Sequence, residues 1–251
     1  MHHRMIFDGA MDMNMAANLR GTDVVILCGG LGKRLRPVVS DRPKVLAKIG
    51  EKTFLDIIIN NLLLYGFKNI ILSVGHLKEQ IKKHFNYRDD YNIKFSDEEE
   101  PLGTGGALKN AKSLIRSEPF MVMNGDSICK VDFRSFVDFH IEKEALLSIV
   151  LVRSKMTEDY GSVILDNSQR ITDFNAKVAG RSENIINAGM YLMKKDIFSY
   201  MPEQNKFSLE YDLFPKIINN RCYGFLIEGE FVDIGTPERY EKAINLIGGI
   251  K

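Results

Sequence analysis

The chain has 251 residues, and its 34 lysines and arginines are balanced by 33 aspartates and glutamates. Neither nucleic acid nor an anionic membrane is therefore favoured as a partner, and the apolar runs fall short of the roughly 18 residues that span a bilayer. Three widely spaced cysteines favour neither a disulfide scaffold nor a zinc site, and they predict a cytoplasmic setting. Residues 1–21 contain five methionines without sustained periodicity, so we interpret them as a flexible extension and residues 22–251 as a single domain.

The first predicted strand, residues 24–27, consists of β-branched and aliphatic residues without polar alternation, which is typical of a strand buried on both faces. It leads into a loop with three glycines: Gly29, Gly30 and Gly32. Glycines let the backbone approach a ligand without a Cβ in the way, and exposed amides in such a loop attract anions. Four cationic side chains lie within a dozen residues of the glycines: Lys33, Arg34, Arg36 and Lys44. Together these features predict a polyphosphate site.

Two commoner phosphate motifs do not fit this loop. The Walker pattern requires serine or threonine after Gly32 and Lys33, where this chain has Arg34. The dinucleotide pattern requires a third glycine at the position of Leu35. The plain alternative is an ordinary strand-to-helix turn whose lysines and arginines are solvated.

The next elements alternate between helix and strand. Apolar residues recur at helical spacing over residues 54–65, and Gly66 is placed to end that helix. Residues 69–74 then predict a strand, residues 77–85 a short helix and residues 91–95 a third strand. This alternation predicts a Rossmann-like α/β fold, with a mostly parallel sheet and helices on both faces.

An acidic run at residues 97–100, which by itself is typical of a solvated turn, leads into a second glycine-rich segment at residues 101–108. Its glycines again permit close backbone approach at the start of a helix, and a purely structural helix entry is the alternative. The strand that follows, residues 120–123, leads to Asp126. A carboxylate at the carboxyl end of a central strand lies where ligands bind and suits Mg²⁺, so we predict Asp126 as a metal ligand rather than part of a plain turn.

The second half of the chain predicts a smaller antiparallel part. Asp132 is placed to open a helix, and residues 145–152 form a long apolar run that predicts a strand. Two short antiparallel strands are expected at residues 160–165 and 170–174.

Acidic residues recur near the end of the chain. Ser208 is placed to cap a helix with Glu210 and Asp212 in its first turn, an arrangement that the helix dipole alone would explain. Asp233 follows another apolar strand. We expect a parallel sheet to bring it to the same cation as Asp126.

The loop from Gly29 to Leu35, followed by Pro43 and Lys44, resembles the signature of the sugar-1-phosphate nucleotidyltransferases. The resemblance implies a glycosyltransferase-A-like fold and an enzyme that joins a nucleoside triphosphate to a sugar 1-phosphate, with Mg²⁺ as cofactor and pyrophosphate as product. Residues 36–44 most resemble the D-glycero-α-D-manno-heptose 1-phosphate guanylyltransferases, which implies GTP as the donor. Mannose-1-phosphate guanylyl transfer, glucose-1-phosphate thymidylyl transfer, a non-catalytic relative and a kinase remain open, as does a homo-oligomer.

The resemblance also implies a role for each candidate residue. The nucleotide would contact Leu27, Gly29, Gly30, Gly32, Lys33, Gly103, Thr104 and Gly105. The catalytic residues would be Arg34 at the triphosphate, Lys44 at the α-phosphate and Asp126. The sugar phosphate would contact Gly125, Lys177, Asn187, Gly189 and Glu210. The metal would bind Asp126 and Asp233.

Within this family pattern the acceptor segment departs from the usual residues. Ala176 replaces a glutamate that meets a sugar hydroxyl, and Val178 replaces a proline, whereas Lys177 can keep its contact with the acceptor phosphate. The resemblance implies that residues 22–130 hold mainly the nucleotide and residues 131–251 mainly the sugar phosphate.

Overall fold

The computed structural model of the protein describes residues 19–86, 91–154, 162–174 and 184–247. The strands in these ranges are β1 (Asp23–Leu27), β2 (Lys48–Ile49), β3 (Lys52–Thr53), β4 (Asn69–Val74), β5 (Asn92–Asp97), β6 (Phe120–Asn124), β7 (Ser127–Cys129), β8 (Leu147–Ser154), β9 (Val163–Leu165), β10 (Ile171–Phe174), β11 (Asn184–Met193), β12 (Cys222–Ile227) and β13 (Phe231–Asp233). The α-helices in the same ranges are α1 (Phe54–Leu64), α2 (Lys78–Phe85), α3 (Gly103–Ala111), α4 (Phe133–Glu142), α5 (Phe214–Ile217) and α6 (Pro237–Ile247). Shorter 3₁₀-helices occupy Leu19–Gly21, Lys44–Leu46, Lys112–Leu114 and Lys195–Tyr200, and a π-helix occupies Leu209–Leu213.

The large sheet joins both halves of the chain. It has seven strands in the order β12-β8-β11-β6-β1-β4-β5. Six of these strands run in one direction, and β11 runs antiparallel to its neighbours β6 and β8. The predicted α/β fold with a mostly parallel sheet is confirmed.

Alternate residues of β1 pack into hydrophobic clusters on opposite faces of the sheet. Val24 and Ile26 belong to a cluster that includes residues of α1, α2, α4 and α6, whereas Val25 packs with residues of α3 and α5. All three side chains are completely buried. Burial of one such side chain contributes about 1.5–3 kcal/mol, so an apolar run without alternation stabilises a strand that is covered on both faces.

Helix boundaries follow local signals in the sequence. α1 begins with a capping box, in which the Asp56 amide donates to Thr53 Oγ1 at 3.1 Å and the Thr53 amide donates to Asp56 Oδ2 at 3.0 Å. It is followed by Gly66, whose φ of +96° is the left-handed conformation that ends many helices. α4 begins after Asp132, whose carboxylate accepts hydrogen bonds from two amides of the first turn.

Three pairs of strands form small antiparallel sheets: β2 with β3, β7 with β13, and β9 with β10. The β9–β10 pair confirms the antiparallel hairpin predicted in the second half of the chain. The helix predicted after Ser208 begins as a π-helix and continues as α5. Ser208 caps it, because its hydroxyl accepts hydrogen bonds from the amides of Glu210 and Tyr211.

Within the described ranges, no helix combines the length and the apolar character that crossing a bilayer requires. Cys28, Cys129 and Cys222 are buried free thiols. Burial raises the pKa of the Cys129 and Cys222 thiols to about 12, so both stay protonated at neutral pH.

Candidate active site

The carboxyl ends of β1, β4 and β6 meet at one edge of the sheet, because β1 lies between the other two strands and is parallel to both. A cavity of about 280 Å³ opens at this edge. It is lined by Leu27, Cys28, Gly29, Gly30, Leu31, Lys44, Val45, Glu98, Pro101, Gly103, Thr104, Ala107, Asn124 and Asp126. Most of the predicted nucleotide-binding residues are in this lining, but three are not: Gly32, Lys33 and Gly105.

The three glycines of the loop after β1 have different surroundings. A Cβ on Gly29 would overlap the Glu98 carboxylate, whereas a Cβ on Gly30 would have no atom within 4 Å. Gly32 has a φ of +60°, which glycine adopts without strain. Gly30 therefore has open space beside its backbone. Lys33, which follows Gly32, is exposed.

Lys44 reaches the cavity from the 3₁₀ turn that follows Pro43. Its ammonium group donates a charge-assisted hydrogen bond to Asp126 Oδ2. The side chains of Lys44 and Asp126 are only 17% and 29% exposed, so water screens this ion pair less than it screens a pair on the open surface. Two of the predicted catalytic residues thus meet in the cavity wall.

Asp233 approaches Asp126 through an antiparallel pair of strands. β13 pairs with β7 so that Asp233 faces Ser127, and the Ile234 amide donates to the Asp126 carbonyl at 3.0 Å. The expectation that a parallel sheet brings the two aspartates together is therefore wrong. The reason is that β7 turns away directly after Asp126 and offers an edge of its own, to which the three-residue β13 adds.

Asp233 has cationic and amide partners around its carboxylate. The Gly235 amide donates to Asp233 Oδ1 at 2.8 Å, and Arg239 Nη1 donates to the same oxygen at 3.4 Å. A Cβ on Gly235 would lie 3.4 Å from Arg34 Nη2. The predicted catalytic residue Arg34 is thus located beside Gly235 and is not part of the cavity lining.

The two aspartates supply donors that suit a magnesium ion. Mg²⁺ prefers oxygen ligands and is usually held by one or two carboxylates together with water and phosphate oxygens. In the part of the chain that the structure describes, no group of three or more His, Cys, Asp or Glu residues is arranged to hold a metal. Asp126 and Asp233, on adjoining segments, offer two carboxylates, the number that a protein usually contributes to Mg²⁺.

Phe207 shapes the second glycine-rich segment. A Cβ on Gly105 would overlap the Phe207 ring, and a Cβ on Gly103, which has a φ of +73°, would lie 2.6 Å from the Phe207 carbonyl oxygen. The amides of Gly105 and Gly106 donate to that oxygen at 3.0 and 3.2 Å. The missing side chain of Gly105 is thus explained by packing inside the protein. Thr104, between the two glycines, lines the cavity.

A chain of hydrogen bonds leads from Thr104 to the predicted sugar-binding residues. The Thr104 hydroxyl donates to Glu210 Oε2 at 2.7 Å, and the Tyr191 hydroxyl donates to Glu210 Oε1 at 3.0 Å. Asn187 Nδ2 donates to the Tyr191 hydroxyl at 3.0 Å, and the Gly189 amide donates to Asn187 Oδ1 at 2.8 Å. Burial and the Glu210 carboxylate raise the pKa of Tyr191 well above its usual value, so Tyr191 remains a neutral donor.

The sequence did not single out Glu98 or Asn124 as site residues, yet both line the cavity. Glu98 is 7% exposed, so the interpretation of the acidic run as a solvated turn is wrong at this residue. Its carboxylate accepts hydrogen bonds from the Leu102 amide at 3.2 Å and the Ser73 hydroxyl at 3.3 Å, and burial raises its pKa. The signal that could have identified Glu98 is its place directly after β5, at the same edge of the sheet as the other strand ends.

Gly125, one of the predicted acceptor residues, lies at the junction of two strand ends. The Gly125 amide donates to the Leu27 carbonyl at 3.0 Å, and a Cβ on Gly125 would lie 2.9 Å from that oxygen. Gly125 therefore serves the close approach of two strand ends and is outside the cavity lining. Lys177 lies outside the described residues, together with Ala176 and Val178.

Comparison with known proteins identifies the family of this chain. The family model described as nucleotidyl transferase matches residues 23–248. The D-glycero-alpha-D-manno-heptose 1-phosphate guanylyltransferase of Aneurinibacillus thermoaerophilus is 41% identical over 223 residues, which are 88% of this chain and 96% of the relative. The protein of the same name from Campylobacter jejuni is 36% identical over 219 residues, 86% of this chain and 96% of that protein. The crystal structure of HddC from Yersinia pseudotuberculosis complexed with GMP-PN has a TM-score of 0.79 at 36% identity, and covers 89% of this chain and 98% of its own. The chain therefore belongs to the nucleotidyl transferase family.

Proposed function

We propose that this protein transfers the guanylyl group of GTP to D-glycero-α-D-manno-heptose 1-phosphate and releases pyrophosphate. The main support for this proposal is a relative named for this reaction. This chain is 41% identical to it, over 96% of the relative's length. A similar protein has been crystallised with GMP-PN, which supports a guanine nucleotide as the donor. The cavity between the loop after β1 and the start of α3 is where we place the nucleoside.

Glu98 is the residue to which we assign recognition of the base. Guanine carries two neighbouring donors, N1–H and the N2 amino group, and one carboxylate can accept from both. Adenine has an acceptor at N1, and uracil and thymine have a single donor between two carbonyls, so none of them matches a carboxylate in this way. The buried carboxylate at the cavity wall therefore favours guanine over adenine, uracil and thymine.

The Glu98→Gln variant tests this assignment. The amide keeps the shape of the side chain but turns one acceptor into a donor, so we expect kcat/KM with GTP to fall by about 10- to 100-fold, by analogy with other bidentate base contacts. Steady-state pyrophosphate release with GTP and ATP measures the change. Glu99→Gln is the matched control, because the Glu99 side chain is 86% exposed and pairs with Lys78 on the surface. An unchanged ratio of the GTP and ATP activities in Glu98→Gln would contradict the assignment.

The chemistry that we propose needs positioned charges rather than a nucleophilic side chain. An oxygen of the sugar phosphate forms a bond to the α-phosphorus of GTP, and the bond from this phosphorus to the oxygen of the leaving pyrophosphate breaks. The attacking phosphate is already ionised at neutral pH, so no general base is required. We assign Lys44 to the α-phosphate and Arg34 to the triphosphate, because phosphoryl transfer depends mainly on alignment and on neutralisation of charge.

The remaining assignments complete the site. Asp126 and Asp233 would hold Mg²⁺, which when bound supplies positive charge to the phosphate oxygens. We assign the acceptor to Gly125, Lys177, Asn187, Gly189 and Glu210, and its phosphate to Lys177. We also retain the division into residues 22–130 for the nucleotide and 131–251 for the acceptor within one domain. The hydrogen bond between Thr104 and Glu210 links these two parts directly.

The experiment that tests the function is a substrate grid. Pyrophosphate release would be measured with Mg²⁺ for GTP, dTTP, UTP, CTP and ATP against heptose, mannose and glucose 1-phosphates. We expect the highest kcat/KM for GTP with the heptose phosphate. A preference for mannose 1-phosphate would contradict the proposed acceptor but would still support guanylyl transfer. Release of GDP without pyrophosphate would indicate a kinase, and no product from any pair would contradict the proposed reaction.

A further inference from the structure

A second ion pair lies at the proposed metal site, in addition to that of Lys44 with Asp126. Arg239 Nη1 lies 3.4 Å from Asp233 Oδ1, and the two side chains are only 14% and 12% exposed. Each of the two carboxylates that we assign to the metal thus forms an ion pair with a basic side chain. A metal ion that binds to Asp126 and Asp233 must share both carboxylates with these cations or displace them.

The position of Arg239 within its helix is unfavourable for a cation. Arg239 is in the first turn of α6, which begins at Pro237, and its amide donates to Thr236 Oγ1 at 3.4 Å. The amino end of a helix carries partial positive charge and stabilises acidic rather than basic side chains. The helix itself therefore gives no reason for an arginine here, whereas the Asp233 carboxylate does.

The guanidinium groups of Arg239 and Arg34 both lie close to Gly235. A Cβ on Gly235 would lie 3.4 Å from Arg34 Nη2 and 3.7 Å from Arg239 Nη1. Since Arg34 belongs to the cationic loop that we assign to the triphosphate, Arg239 lies on the side of Asp233 where the phosphates are proposed to bind. A guanidinium group matches the oxygens of a phosphate as well as those of a carboxylate.

We propose that Arg239 is an exchangeable counter-ion of the active site, which pairs with Asp233 before the metal binds and contacts the pyrophosphate moiety of the nucleoside triphosphate afterwards. This inference rests on the proposed function, because it requires a triphosphate beside Asp233. It makes Arg239 a competitor of the metal in the free enzyme and a binding residue for the nucleotide in the complex. A merely structural brace for Asp233 would instead favour metal binding and leave nucleotide binding unaffected.

As a competitor of the metal and a binding residue for the nucleotide, Arg239 should affect the two affinities in opposite directions when it is changed to glutamine. Without the competing cation, we expect the nucleotide-free protein to bind Mn²⁺ about three- to tenfold more tightly, since the metal no longer has to displace an arginine from the Asp233 carboxylate. Binding of GTP with Mg²⁺, in the absence of acceptor, should weaken by a similar factor. Mn²⁺ binding would be followed by electron paramagnetic resonance of the free ion, and GTP binding by calorimetry. Arg239→Lys keeps the charge and should lie between the wild type and Arg239→Gln in both measurements.

Arg221→Gln is the matched control, because Arg221 forms an exposed ion pair with Glu144 just before β12, at the amino edge of the sheet. It should bind Mn²⁺ and GTP as the wild type does, and thermal unfolding would verify that all variants fold. Weaker or unchanged Mn²⁺ binding in Arg239→Gln, or unchanged GTP binding, would overturn the proposal for Arg239 while leaving guanylyl transfer intact. A wild-type protein that binds no GTP would overturn both the proposed function and this inference.

Discussion

The Asp126→Asn variant is expected to lose about 100-fold or more in kcat/KM for pyrophosphate release, the range found when one preorganised electrostatic contact of a transition state is removed. Asparagine keeps the size of the side chain but has no charge. It therefore removes both a proposed metal ligand and the acceptor of the Lys44 ammonium group. The loss should appear with every nucleotide, because the carboxylate acts on the phosphates and not on the base.

Steady-state pyrophosphate release with GTP and the heptose phosphate measures this effect. Asp138→Asn is a suitable control, because this substitution removes the same charge from an exposed position on α4. The control should retain wild-type activity, and both variants should have thermal unfolding midpoints close to that of the wild type. A loss of less than tenfold in Asp126→Asn would argue against Asp126 as a metal ligand.

The Lys44→Ala variant is expected to show a comparable loss, about 100- to 1,000-fold in kcat, because a positioned cation stabilises charge that develops on the α-phosphate in the transition state. The same change leaves the Asp126 carboxylate without its lysine partner in a partly buried position. We expect kcat to fall more than the affinity for GTP, since the triphosphate keeps its other contacts.

Lys48→Ala provides the comparison for Lys44. Lys48 lies on β2, four residues further along the chain, and its exposed ammonium group donates only to the Glu51 carbonyl among the hydrogen bonds described for it. Single-turnover measurements would separate the chemical step from product release in both variants. An unchanged rate of the chemical step in Lys44→Ala would refute the assignment of Lys44 to the α-phosphate.

The central part of the fold could be predicted from the sequence, because the signals are local. Val24, Val25 and Ile26 form an apolar run that is typical of a strand covered on both faces, and the structure places their side chains in two clusters. Gly66 and Asp132 mark helix ends through backbone conformation and capping, which need no distant partner. Boundaries can shift by a few residues, as for the strand expected at residues 145–152 and found at Leu147–Ser154.

Residues whose environment comes from distant segments were not predictable in the same way. Glu98 looks like a member of a solvated acidic run until the end of β5 is known to meet the ends of β1 and β6. Gly105 looks like a ligand contact until Phe207, about a hundred residues away in the chain, packs against it. Such contacts could not be predicted, because the sequence around each residue does not indicate which distant residue it will contact.

The sequence by itself determined the fold class, the glycine and cation loop, and the acidic residues at strand ends, since each depends on short-range spacing and on the chemistry of the side chains. Only the tertiary structure decided how Asp126 and Asp233 come together, because the pairing of β7 with β13 joins segments more than a hundred residues apart. It also decided that each of these carboxylates has a basic partner, Lys44 or Arg239. Electrostatic energy depends on distance in space and on burial, and the chain must fold before either is defined.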